Sequence, residues 1–218
     1  TGSNVSNALS LSTGNDKSQS YISVATTNAT GIMPNNDYDR YNFSFRNTTN
    51  FLNNKFILDT SANYIIQNDK NMVSQGQYFN PLTSLYLFPR GEDFSDVAVY
   101  ERYDDLSGVN TQYWPYGDLG GVSSQNPYWI MNRMNRENDR RRYKLAASLQ
   151  YNIIEGLNVQ GRVSIDNTES KYTEKFHAGT VGNFAGPKGR YKEENRLDRQ
   201  VYADVLENFN KTFNEFNV

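Results

Sequence analysis

The feature that most constrains this chain is a strict two-residue alternation of apolar and polar side chains. Between 41 and 47, Tyr41, Phe43 and Phe45 lie on one side and Asn42, Ser44 and Arg46 on the other. The stretch 56–66 sets Phe56, Leu58, Ala62, Tyr64 and Ile66 against Asp59, Ser61 and Asn63. Over 143–153, Tyr143, Leu145, Ala147, Leu149, Tyr151 and Ile153 oppose Lys144, Ser148, Gln150 and Asn152. Over 157–166, Leu157, Val159, Val163 and Ile165 oppose Asn158, Gln160, Arg162, Ser164 and Asp166. A period of two describes a strand with one wet and one apolar face. Weaker alternation at 5–13, 20–29 and 199–209 brings the predicted strands to seven.

The connections fall into two classes that alternate along the chain. Tight-turn residues occur at Gly14-Asn15-Asp16-Lys17, Asn53-Asn54, Glu155-Gly156 and near Asn210-Lys211. Long connections occupy about 30–40, 68–140 and 177–198. In an up-and-down meander every second connection returns to the same end, so the short turns share one end and the long loops the other. Outer-membrane barrels have this asymmetry, with short periplasmic turns and long extracellular loops.

Composition narrows the choice. Only 37% of the 218 residues are hydrophobic and the mean hydropathy is −0.77, yet 14% are aromatic, with 16 Tyr and 12 Phe. Disordered chains are poor in aromatics, so the low hydropathy fits β-structure with one wet face and one aromatic-flanked apolar face. A net charge of −2 gives no electrostatic case for nucleic acid. The absence of cysteine excludes disulfides, thiol catalysis and thiolate metal sites. No apolar run approaches a membrane helix, and 1–30 carries no signal-peptide pattern, as expected of a mature or internal segment.

The expected fold is all-β, part of a transmembrane antiparallel up-and-down β-barrel with long extracellular loops. Barrel strands with short turns fill 1–67, an aromatic-rich outer loop 68–140, a barrel hairpin 141–176, an outer loop 177–198, and a last strand and turn 199–218. The residues alone leave one alternative, a secreted or surface β-sandwich that binds carbohydrate without transporting it. Against it stands the connection at 68–140, which is too long for a compact domain unless it has a function.

The stretch Gly31-Ile32-Met33-Pro34-Asn35-Asn36-Asp37-Tyr38-Asp39-Arg40-Tyr41-Asn42-Phe43 resembles the G-I-x-P-x-x-x-Y-x-R-x-N-F signature of SusC/RagA-type TonB-linked outer-membrane transporters. Ser10-Leu11-Ser12-Thr13-Gly14-Asn15-Asp16-Lys17, Asn50-Phe51-Leu52-Asn53-Asn54-Lys55, Leu85-Tyr86-Leu87-Phe88-Pro89-Arg90 and Asn126-Pro127-Tyr128-Trp129 are similar to family elements in the same order. The resemblance implies an outer-membrane location and import of an oligosaccharide or peptide. It also implies a SusD-like surface lipoprotein as lid, outer-membrane lipid around the barrel, and energy from TonB through a plug domain. The plug and the rest of a barrel of about 22 strands are not recognisable here, so the chain reads as a fragment of the barrel that follows the plug.

Candidate contacts lie in the loop at 68–140. Aromatic faces beside amides and carboxylates suit sugar binding, since the C–H face of a pyranose stacks on a ring while its hydroxyls need forked hydrogen-bond partners. Tyr78, Tyr86, Trp114, Tyr116 and Trp129 are the candidates for ligand or partner binding, with the loop's own small core as the competing role. The run Arg133, Arg136, Arg140, Arg141 and Arg142 is interrupted by Glu137 and Asp139. It reads as a solvated rim, with lipopolysaccharide phosphate as a secondary partner. Glu92, Asp93, Asp96, Asp104 and Asp105 are the only calcium candidates, without the twelve-residue ligand order of a calcium loop. His177 is the sole histidine, the glycine-rich run 182–189 lacks phosphate-loop spacing, and no acid–base pair stands out, so no enzyme is expected.

Overall fold

The computed structural model describes residues 1–74, 76, 78–116 and 124–210, and the backbone of 212–213 and 216–217. Seven long strands form one antiparallel sheet in chain order, joined as an up-and-down meander. They are β1 (Ser3–Gly14), β2 (Ser18–Thr30), β3 (Asp37–Phe51) and β4 (Phe56–Lys70), followed after the large loop by β7 (Met134–Ile154), β8 (Leu157–Phe176) and β9 (Arg190–Phe209). Between β4 and β7 the chain makes α1 (Pro81–Leu87), a 3-10 turn (Phe94–Ala98), the hairpin β5 (Glu101–Asp104) and β6 (Val109–Gln112), and α2 (Pro127–Arg133). A short pair, β10 (Thr212–Phe213) and β11 (Phe216–Asn217), ends the chain. The fold is all-β, and the sheet does not close on itself.

The seven strands coincide with the seven alternating stretches but run longer at the loop end. The large connection is therefore 71–133, not 68–140, and the second is 177–189. The added residues are charged on both faces, Glu137, Asp139 and Lys171 on one and Arg136, Arg140 and Glu174 on the other, so a hydrophobic period cannot reveal them.

Register sorts the side chains into two faces. One row carries Leu11, Ile22, Phe45, Ala62, Leu145, Ile165 and Val201, and the next carries Leu9, Val24, Phe43, Tyr64 and Tyr143. These residues have no second layer over them among the described residues. Leu9 is 78% exposed and Val205 74%. The second sheet that a sandwich requires is absent from the described residues. Along β3 the apolar face runs from Tyr41 to Phe51. Ten residue steps cover roughly 34 Å, or about 26 Å in height at a tilt of about 40°. Aromatic rings mark both ends, with Phe43 over Tyr64 near the loops (6.5 Å) and Phe56 stacked on Tyr151 near the turns (4.7 Å). Asn47 interrupts this face, and its amide donates to Ser20 Oγ (2.8 Å) and Ser18 Oγ (3.2 Å), so no bare donor remains.

The opposite face is polar, tied by Arg46–Asp59 (2.9 Å), Arg142–Asp166 (2.5 Å) and Arg162–Asp204. The short turns all sit at one end. Leu52, Asn53 and Asn54 take left-handed φ values of 51°, 56° and 62°, and Gly156 takes 82°. Asparagine and glycine tolerate that region.

Candidate functional site

The large loop folds onto the polar face of the wall. Alternation puts Met134, Arg136 and Phe176 on that face, and these three anchor the loop's core. Trp129, Ile130, Met134, Phe176 and Ala185 form a buried cluster, with Phe79, Tyr100 and Phe184 packed against it. The order of events is local. Asn126 caps α2 by accepting from Tyr128 N (2.9 Å), and Pro127 opens the helix where no amide is needed. One helical turn then carries Trp129 and Ile130 into the core, and the chain runs directly into β7.

A knot of buried amides holds the strapping segments together. The Asn126 side chain donates to Val97 O (2.9 Å) and Tyr113 O (3.1 Å), Gln125 donates to Tyr78 O (2.8 Å), and Asn126 N donates to Gln112 Oε1 (2.6 Å). Each buried polar group thus has a partner in a different stretch of loop, which fixes one arrangement. The second outer loop locks on through glycine. Gly179 has φ +83°, and a Cβ there would stand 2.4 Å from Asn110 O. Only glycine lets Gly179 O receive Gln112 N (3.1 Å) at that approach.

Arg136 lies where loop meets wall. Its guanidinium rests over the Phe79 ring at 4.8 Å and bonds Ser74 Oγ, and burial holds its pKa below the ordinary arginine value. Beside it Tyr172 donates to Glu174 (2.9 Å), and burial, then that bond, pushes the phenol up to about 12. Glu174 is also held by Arg190 at 3.1 Å. All four methionines of the chain, Met33, Met72, Met131 and Met134, line a cavity of about 20 Å³ against Phe79 and Arg136. Flexible thioethers here fill the seam between the first outer turn, the exit of β4 and α2.

The five predicted contact residues separate. Tyr86 stands out from α1 at 84% exposure, and Tyr78 is 40% exposed while its ring tilts on Phe184 at 5.3 Å. Trp114 and Tyr116 are half-buried and meet edge to face at 5.2 Å, with Phe88 against Tyr116 at 5.1 Å. The Trp114 indole donates to Ser124 Oγ (2.9 Å). Trp129 is fully buried, donating to Thr180 Oγ1 (3.1 Å), and supports the loop from beneath. The glycine-rich stretch around Trp114 and Tyr116 continues into 117–123, outside the described residues.

The arginine run is not one patch. Arg133 leaves it to clasp Glu101 with two bonds (2.8 and 2.9 Å), Arg136, Arg140 and Arg142 enter the polar face, and Arg141 alone turns outward. The acidic candidates turn to the backbone. Asp93 accepts from Ser95 N (2.9 Å), which lowers its carboxyl pKa, and that of Asp104 is lowered by the Ser107 hydroxyl and then by Ser107 N (3.1 Å). Among the described residues no three carboxylate or imidazole groups converge as a metal site. The Tyr172–Glu174 pair carries no periodic or motif signal, and the motif Asn126-Pro127-Tyr128-Trp129 marked Asn126 without showing what its amide ties. The division of the arginines emerges only with the extended β7, which places 140 and 142 on one face and 141 on the other.

No family model matches the chain, and no curated protein does. Solved structures do match. Chains described as the RagAB peptide importer superpose with a TM-score of 0.64 at 14% identity in the open-open state, and 0.65 at 13% identity in the closed-closed state. Each match covers 96% of this chain and 22% of that one. A chain described as the RagAB peptide transporter gives 0.60 at 13% identity, covering 97% of this chain and 22% of that one. The chain therefore shares the fold of one segment of these proteins and spans 22% of the length of each.

Proposed function

We propose that this chain is seven strands of the wall, with two outer loops, of a TonB-linked outer-membrane importer of the SusC/RagA type. One observation carries the reading. The exposed apolar side chains of the sheet lie mostly on one face, in a belt about 26 Å high, close to the apolar band of about 25 Å typical of outer-membrane barrels, while the loops pack on the opposite, polar face. An apolar belt faces lipid, a polar face lines water, and loops folded over the wet face narrow the mouth. The signature at 31–43 and the fold match support the same assignment.

In this reading the cargo is a peptide, favoured over an oligosaccharide by the description of the matched structures. The exposed loop rings Tyr86 and Tyr78, with Trp114 and Tyr116 behind them, contact cargo or a SusD-like surface lipoprotein. TonB coupling belongs to a plug elsewhere in the complete protein. The chain contains no cysteine, so single cysteines report cleanly. Cysteines replacing Leu145 and Val163 in the complete protein in outer membranes are expected to react with a lipid-soluble maleimide only. Those replacing Ser148 and Ser164 are expected to react with a water-soluble one. Equal reactivity of both faces with the water-soluble reagent removes the membrane assignment.

A further inference from the structure

A row of arginines crosses the polar face just below the loop. In cross-strand register Arg40 of β3 opposes Gln67 of β4, Gln67 opposes Arg140 of β7, Arg140 opposes Ser170 of β8, and Ser170 opposes Arg196 of β9. Strands about 4.8 Å apart set successive arginines of this row about 9.6 Å apart at the backbone. Tertiary pairing, not sequence proximity, makes the row, since its members come from three strands separated by up to the whole large loop.

Carboxylates on this face neutralise only the Arg196 end of the row. Glu174 pairs with Arg190 (3.1 Å), Glu194 with Lys192 (2.5 Å), Asp198 with Arg196 (2.7 Å) and Asp166 with Arg142 (2.5 Å). Asp69 receives neutral amides, Asn138 at 3.0 Å and Gln67 at 3.4 Å. Arg40, Arg136 and Arg140 are left without a carboxylate partner among the described residues. Arg40 instead donates to the Asn42 amide oxygen (3.0 Å), Arg136 lies over Phe79, and Arg140 is exposed. Arg136 is thereby taken up by the loop, while the row's Arg40 and Arg140 retain capacity for bidentate anion contacts.

We infer that Arg40 and Arg140 of this row bind carboxylate side chains, so that the preferred cargo is an acidic peptide. The inference rests on the peptide-import reading above and adds the charge class. An extended peptide presents same-face side chains about 7 Å apart. Flexible acidic arms at that interval meet long arginines rooted about 9.6 Å apart without a fixed register. Arg141, one residue from Arg140 but on the lipid-facing side, supplies an internal control.

The test measures binding of two labelled octapeptides to the complete transporter in detergent at physiological salt, identical except that one carries glutamate where the other carries glutamine. The acidic peptide is expected to bind about tenfold more tightly or better, from one or more charge-assisted contacts. The Arg40→Gln/Arg140→Gln variant is expected to bind both alike, and Arg141→Gln to keep the preference. Equal binding by the unaltered protein, survival of the preference in the double variant, or its loss in Arg141→Gln overturns the row. Binding of an oligouronate in place of the acidic peptide overturns the peptide class. Equal binding and uptake of both peptides leaves import standing and removes only the charge inference, whereas no binding or uptake of either removes both.

Discussion

The wall and the loop invert one another. In the wall, large apolar residues such as Leu9, Leu11, Val201 and Val205 are exposed, while the hydrophobic residues that are buried, among them Val97, Trp129, Ile130 and Ala185, lie in the loops or at their junction with the strands. A soluble domain buries the alternating faces of its sheet and exposes its loops. Here the sheet carries its hydrogen bonds internally but must find its apolar partner outside the chain, whereas the loop carries its own core. Folding of the loop is therefore a tertiary event within this chain, whereas in the proposed reading the wall gains its stability from lipid and from neighbouring strands.

The sharpest way to break that contrast is to empty the loop's core. Trp129→Ala is expected to cost about 3–5 kcal/mol locally. Limited proteolysis then cuts within 71–133 while the strands keep their far-ultraviolet β signal. Loss of both together shows one cooperative unit and erases the distinction. A charge tests the wall. Leu145→Arg at mid-belt is expected to destabilise the protein in lipid by about 2–4 kcal/mol, and Ser164→Arg on the wet face by far less, read by denaturant titration in vesicles. Equal costs contradict the assignment of faces.

A smaller effect concerns the amide knot. Asn126→Ala leaves Val97 O and Tyr113 O without their donor, at about 1–3 kcal/mol, and should speed hydrogen exchange in 97–113 but not in β8. The smallest is electrostatic. His177 is held below its ordinary pKa by burial and by the charge of Arg133. A histidine so depressed favours the neutral form in the folded loop, so its contribution is present above about pH 6.5 and is lost as pH falls through that value toward the folded pKa. Protease resistance of the second outer loop should drop modestly between pH 7 and 5, and His177→Gln should flatten the change.

Much of the wall was legible because a strand with one apolar and one polar face writes that division into every second residue. Tyr41, Phe43 and Phe45 announce β3 without any knowledge of what they touch. The strand ends were less legible, since both faces there are charged, with Glu137, Asp139 and Lys171 on one and Arg136, Arg140 and Glu174 on the other. In the loop the aromatic content pointed to a core or a binding surface but did not say which ring does which. Tyr86 and Trp129 are alike in sequence terms, yet one is exposed and the other sealed beneath Thr180.

Local period and short motifs sufficed to read the seven strands of the large sheet, its two faces, the turn asymmetry and the family resemblance, but not the hairpin of β5 and β6. Only the tertiary structure decided that the loops fold over the polar face, that Asn126 ties three loop segments, and that Arg40, Arg140 and Arg196 stand in one row. Each of these depends on which strands lie side by side and at what register, and pairing across the 71–133 connection is a long-range outcome of packing and hydrogen bonding that no local pattern encodes.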